Sequence, residues 1–185
     1  MKLSWLPNSL TIGRIAGALV CAVSILSGRP GLALTAFVLA ALTDLLDGWL
    51  ARALDAISAF GAWLDPIADK LLAGLVLAAL SLQSPTWTLI VPTGLIILRD
   101  AMVSHWRMRL GGGHALPVLG LSKWKTALEM IAIGLLLAAP LASDGRSGAV
   151  FWSGLACLWL AALASVLTGL KYFRAARTAL AERRP

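Results

Sequence analysis

The sequence predicts an all-α integral membrane protein with six transmembrane helices and a short N-terminal interfacial segment. Hydrophobic residues make up 59% of the 185-residue chain and charged residues 14%, whereas about a quarter of a soluble domain is charged. The mean hydropathy is +0.83. Residues 71–98 and 147–170 carry no charged side chain, and each stretch is long enough to cross a ~30 Å hydrocarbon layer as helix. Lipid leaves only helices and closed barrels with a satisfied backbone, and the period-2 alternation of a barrel is missing.

Each element has its own signals. Met1–Leu6, with Lys2 and Trp5, reads as the interfacial segment, and Pro7-Asn8-Ser9 offers capping side chains for a first span near 9–27. That span leads into further spans, so it reads as a first membrane span rather than a cleaved signal. Gly28-Arg29-Pro30-Gly31 forms a tight turn. A second helix is expected over 31–54, and Ser58 caps a third over 59–82, which ends at Gln83-Ser84-Pro85. The fourth, 86–109, contains Pro92 and Gly94, which permit a kink. Gly111-Gly112-Gly113 opens a loop to about 120; the fifth and sixth spans cover 121–140 and 149–173, and the tail is basic. With no internal repeat or low-complexity tract, residues 1–185 read as one membrane domain.

Six spans put both termini on one side. That side then holds Lys2, Arg14, Arg52, Arg107, Arg109, Lys123, Lys125 and the basic tail, against Arg29 and Arg146 opposite. Lysine and arginine gather in cytoplasmic loops, which predicts both termini in the cytoplasm. The net charge of +7 has the same origin, and no soluble basic domain is present to bind nucleic acid. Cys21 and Cys157 lie in apolar runs as small packing residues.

Two carboxylate pairs interrupt this apolar chain: Asp44 and Asp47 on the second helix, and Asp65 and Asp69 on the third. An ionised group at such depth costs roughly 2.5–3.5 kcal/mol on insertion scales and marks function. Spacings of i,i+3 and i,i+4 put each pair on one helical face. Counted from Pro30, Asp44 lies about 21 Å along its helix, so the acids meet in the cytoplasmic half. Four such carboxylates repel one another unless cations intervene. Hard oxygen donors suit magnesium, and the cluster has no thiol or imidazole for zinc. Gly48, Ala51 and Gly61 leave room for a flat ligand, and Arg52 is placed to donate to phosphate.

The full string, Asp44-x2-Asp47-Gly48-x2-Ala51-Arg52-x8-Gly61-x3-Asp65-x3-Asp69, resembles the signature of the CDP-alcohol phosphatidyltransferases, with every specified residue at the expected spacing. The resemblance implies six membrane helices, a homodimer in the inner (cytoplasmic) membrane, and magnesium- or manganese-dependent transfer of a phosphatidyl group from CDP-diacylglycerol with release of CMP. It assigns metal binding to Asp44, Asp47, Asp65 and Asp69, with Asp69 also the general base. The CDP portion falls to Gly48, Ala51, Arg52 and Gly61, with Asn8 and Thr11 nearby. Pro7-Asn8-x2-Thr11-x2-Arg14 is similar to the N-terminal segment of the bacterial phosphatidylglycerophosphate synthase branch. Arg99-Asp100, Arg107 and Lys123-Trp124-Lys125-Thr126 resemble its acceptor half.

Arg99, Arg107, Lys123 and Lys125 converge at the cytoplasmic side of the fourth and fifth spans as an acceptor-phosphate pocket, and glycerol 3-phosphate supplies both the anion and the hydroxyl. Glu129, inside the fifth span, is placed to pair with a pocket base, whereas His105 and His114 have no ligand-spaced partners. Asp100 and Ser122 depart from the common synthase pattern. Cardiolipin synthases of the same superfamily carry similar pairs, so phosphatidylglycerol and inositol phosphate remain alternative acceptors. A cation- or proton-coupled transporter is the alternative from another class.

Overall fold

The computed structural model describes residues 5–53, 59–109, 120–143 and 145–181, and side chains over 12–43, at 68, and over 70–106, 123–143 and 145–175. Its helices are α1 (Trp5–Leu26), α2 (Pro30–Ala53), α3 (Ala59–Gln83), α4 (Trp87–Arg109), α5 (Gly120–Ala138) and α6 (Ser147–Ala181), and a 3-10 turn, Ala139–Leu141, follows α5. No strand occurs among the described residues.

Helix order and most boundaries follow the sequence expectations, with two differences. Helix α1 is described from Trp5 onward, so Pro7 sits in its first described turn and Asn8 and Ser9 lie inside the helix, not at its cap. Proline is tolerated there because the first-turn N–H groups have no intrahelical acceptor. Helix α6 continues to Ala181, carrying helix through residues expected to form a tail. The Ser58 cap, the loop at 110–119, Asp55, Asp144 and residues 182–185 lie outside the described residues.

Local chemistry explains several boundaries. Gly28, at φ +66°, ends α1, and the following Arg29 N–H donates to the Ser24 carbonyl at 2.9 Å, the closure a left-handed residue gives to a helix C-terminus. Pro92 lies within α4 and has no N–H for the Thr88 carbonyl four residues earlier. The Trp159 indole N–H of α6 donates to that oxygen instead, at 3.1 Å. Helix hydroxyls also bond inward: Ser24 to the Val20 carbonyl, Thr35 to Gly31 and Thr168 to Ala164. Lipid offers such groups no other partner.

Helix α1 packs along α2 and α3, and α6 packs along α4 and α5. The core between them is rich in alanine, including Ala18, Ala33, Ala40, Ala132, Ala161 and Ala162. Small residues let membrane helices approach closely and gain dispersion contacts. At Gly154 of α6 a Cβ would lie 3.1 Å from the Leu136 backbone nitrogen of α5, so that crossing has no room for a side chain. The outer surface is the reverse of a soluble protein's: Val23 and Leu98 are each 62% exposed and Leu39 59%. Trp87–Trp106, Lys123–Leu141 and Ser147–Ala175 are long and apolar enough to cross a bilayer. Shorter apolar stretches, Ile12–Leu26, Pro30–Thr43 and Lys70–Gln83, occupy the described parts of α1, α2 and α3.

Candidate active site

Helix phase sets the depth of the site. The Gln83 amide donates to the Ile25 carbonyl at 2.6 Å, joining the C-terminal ends of α3 and α1 at the end of the bundle where α2 starts. From that end Asp44 follows Pro30 by 14 residues along α2, and Asp69 precedes Gln83 by 14 along α3. Asp100 follows Trp87 by 13 along α4. At 1.5 Å per residue, all three backbone positions lie about 20 Å from the turn end.

Asn8 and Thr11 lie on α1, Asp44, Asp47, Gly48, Ala51 and Arg52 on α2, Gly61, Asp65 and Asp69 on α3, and Arg107 near the end of α4. The side chains of all these residues lie outside those described. The donor set is chemically apt for a hard divalent cation: four carboxylate residues on two helices, each pair on one helical face.

A charged cluster joins α4 and α5, and its centre is Asp100. Its Oδ1 accepts from Arg99 Nη1 at 2.7 Å and from Lys125 Nζ at 2.9 Å, and its Oδ2 accepts from Lys125 Nζ at 2.8 Å. Lys125 also pairs with Glu129 Oε2 at 3.0 Å, one helical turn along α5. Glu129 therefore does pair with a pocket base. The four groups carry two positive and two negative formal charges, a balance that offsets the cost of taking them out of water. The side chains of Lys125 and Glu129 are each 3% exposed.

Arg99 has a different standing within this cluster. Its guanidinium carbon lies 5.4 Å from the centroid of the Tyr172 ring, within cation–π range. A Cβ at Gly169 would come within 3.2 Å of its Cγ, so α6 seats the side chain on a glycine and an aromatic face. Arg99 is 9% exposed, yet Nε and Nη2 have no hydrogen-bond partner among the described residues. Burying donors of a charged group unpaired costs several kcal/mol. The edge they form is the fork that matches a phosphate or carboxylate.

Of the four expected basic residues, the structure brings Arg99 and Lys125 together on one carboxylate, and leaves Lys123 exposed at the start of α5. It adds Lys70, which follows Asp69 on α3 and donates to the Ser104 hydroxyl of α4. Ser104 in turn donates to the Asp100 carbonyl at 2.8 Å. Lys70, Asp100, Ser104 and Glu129 form the polar wall of a cavity of about 290 Å³ between α3 and α4. Sequence reasoning missed Lys70, Ser104 and Tyr172. The one available signal was a lysine adjoining an acidic motif residue deep in a span. His105 packs edge-on against Trp106.

Six packed helices with an apolar outer surface carry an acidic pair on each of α2 and α3 and a charged cluster on α4 and α5, the features of a membrane enzyme. The chain belongs to the CDP-alcohol phosphatidyltransferase family, whose model matches residues 4–168. The CDP-diacylglycerol–glycerol-3-phosphate 3-phosphatidyltransferase of Cereibacter sphaeroides is 38% identical, with 94% of this chain and 96% of that protein covered. The enzyme of the same description from Rickettsia bellii is 39% identical, over 93% of this chain and 95% of its own. In fold, the chain is similar to the crystal structure of Mycobacterium tuberculosis phosphatidylinositol phosphate synthase with CDP-DAG bound. The TM-score is 0.65 at 21% identity, covering 92% of this chain and 85% of that one. The same synthase has been solved in complex with manganese and citrate.

Proposed function

We propose that this protein transfers the phosphatidyl group of CDP-diacylglycerol to glycerol 3-phosphate, forming phosphatidylglycerophosphate and CMP in phospholipid biosynthesis. The observation that carries the reading is the complete acidic signature on α2 and α3, with the backbones of Asp44 and Asp69 at about the depth of Asp100 on α4. Near full-length relatives described as this enzyme support it.

In this reading residues 1–185 form one domain of six spans, with both termini in the cytoplasm and the site in the cytoplasmic half of an inner-membrane homodimer. Support comes from the lysine and arginine asymmetry. Asn8, Thr11, Gly48, Ala51, Arg52 and Gly61 hold the CDP portion. Asp44, Asp47, Asp65 and Asp69 hold divalent magnesium or manganese, two ions in number, which when bound neutralise charge on the pyrophosphate. Asp69 accepts the proton of the attacking hydroxyl. The hydroxyl oxygen bonds to the phosphatidyl phosphorus as the P–O bond to CMP breaks, and CMP carries away the electron pair. Arg99, Arg107, Lys123 and Lys125 form the acceptor side of the site, where Arg99, Arg107 and Lys123 draw a phosphomonoester of nearly two charges and Lys125 is held by Asp100 and Glu129.

The test is CMP release from CDP-diacylglycerol by purified protein in detergent with magnesium. Release that requires glycerol 3-phosphate supports the reading. Absence of CMP release with every acceptor, alongside cation or proton uptake into vesicles, would establish the transporter alternative.

A further inference from the structure

The basic residues of the acceptor pocket are not equivalent. An ammonium has three donors. Those of Lys125 face both oxygens of Asp100 and one of Glu129, at 2.8–3.0 Å, and the residue is 2% exposed. A phosphate bound to Lys125 would have to displace a carboxylate, either the buried Glu129 or the partly buried Asp100. Arg99 meets Asp100 through Nη1 alone, and its Nε and Nη2 have no hydrogen-bond partner among the described residues. Carboxylates ordinarily take arginine as a two-pronged fork. Here Asp100 is adjacent to Arg99 in sequence, and Lys125 covers the Oδ2 that a second prong would use.

We propose that Lys125 is a positioning residue: neutralised by Glu129, it occupies Asp100 and thereby keeps the buried Nε–Nη2 edge of Arg99 from pairing with that carboxylate, reserving it for the acceptor phosphate. This rests on the reading that the pocket receives glycerol 3-phosphate. Arg99 touches the substrate, Tyr172 and Gly169 seat its stem, and Glu129 keeps the cluster neutral once Lys125 is engaged. Removing Lys125 releases Asp100 to close on Arg99, so the pocket loses its phosphate fork through a residue that never touches phosphate.

The test compares Lys125→Met, Asp100→Asn and the double variant as full-length purified protein, each checked for a monodisperse peak and an unchanged thermal midpoint. The readouts are KM for glycerol 3-phosphate at saturating CDP-diacylglycerol, and KM for CDP-diacylglycerol. Lys125→Met is expected to raise the first about tenfold, the typical worth of one charge-assisted contact, and to leave the second unchanged. Adding Asp100→Asn is expected to restore KM to within about threefold of wild type, because the competing carboxylate is gone. A direct phosphate ligand predicts no rescue. A double variant with KM as high as Lys125→Met, or a Lys125→Met enzyme with wild-type KM, overturns the proposal. If Lys125→Met alone gives no folded protein, the charge-balanced double variant decides by the same criterion. Wild-type enzyme that uses phosphatidylglycerol or inositol phosphate but not glycerol 3-phosphate refutes the acceptor reading, and the proposal falls with it. Failed rescue with intact glycerol 3-phosphate turnover overturns the proposal alone.

Discussion

Replacing Gly169 by alanine would put a methyl carbon 3.2 Å from Cγ and 4.0 Å from Cβ of Arg99. Carbon atoms prefer about 3.5–4.0 Å, so the arginine stem must shift by about 0.5 Å or turn off its rotamer, at a cost of roughly 0.5–1.5 kcal/mol. Paid from acceptor binding, that cost raises KM for glycerol 3-phosphate roughly 2- to 12-fold, since 1.36 kcal/mol is tenfold. Position 169 lies inside α6, where alanine is favoured over glycine by about 1 kcal/mol. The thermal midpoint should therefore hold or rise while acceptor affinity falls, which separates a local effect on Arg99 from general damage. The assay is initial-rate CMP release at saturating CDP-diacylglycerol across a glycerol 3-phosphate series, repeated with the substrates exchanged. An acceptor KM within twofold of wild type, or equal rises in both KM values, would refute the reasoning.

Other outcomes follow from the same reading. Asp44→Asn, Asp47→Asn and Asp65→Asn should each remove most turnover while leaving helical circular dichroism intact, and full activity in excess chelator would rule out bound metal. Asp69→Asn should keep CDP-diacylglycerol binding but lower kcat at least ~10²-fold, the contribution of a typical general base; a near-normal kcat removes it from the mechanism. Gly154→Leu should destabilise the α5–α6 crossing by about 1–3 kcal/mol or more through overpacking, seen as a lowered thermal midpoint, and an unchanged midpoint would mean the helices separate freely there.

Much of this fold is legible in the chain because membrane helices are written locally. Gly28, Gln83-Ser84-Pro85 and the uncharged runs fix where helices stop and how long they are. Two boundaries escaped because proline and basic residues were read as breaks. Pro7 fits a first turn, and Ala175, Ala176, Arg177, Ala179, Leu180 and Ala181 are ordinary helix formers. The acidic half of the site is also local, since i,i+3 and i,i+4 spacings fix a shared face. The basic half is not. Asp100 meets Lys125 across 25 residues and Lys70 meets Ser104 across 34, pairings set by how α3, α4 and α5 pack. Four basic residues looked alike in sequence; burial and partners divide the three with described side chains into a buried guanidinium with an unpaired edge at Arg99, an engaged ammonium at Lys125 and an exposed one at Lys123.

The acceptor decides the central claim. Purified enzyme should be supplied with labelled CDP-diacylglycerol and magnesium, and kcat/KM compared for glycerol 3-phosphate, phosphatidylglycerol, inositol phosphate, serine and glycerol. Glycerol 3-phosphate should lead, with uncharged glycerol poor because it forfeits the charge-assisted contacts of the basic cluster. A much higher kcat/KM for phosphatidylglycerol or inositol phosphate would contradict the acceptor assignment while leaving phosphatidyl transfer in place.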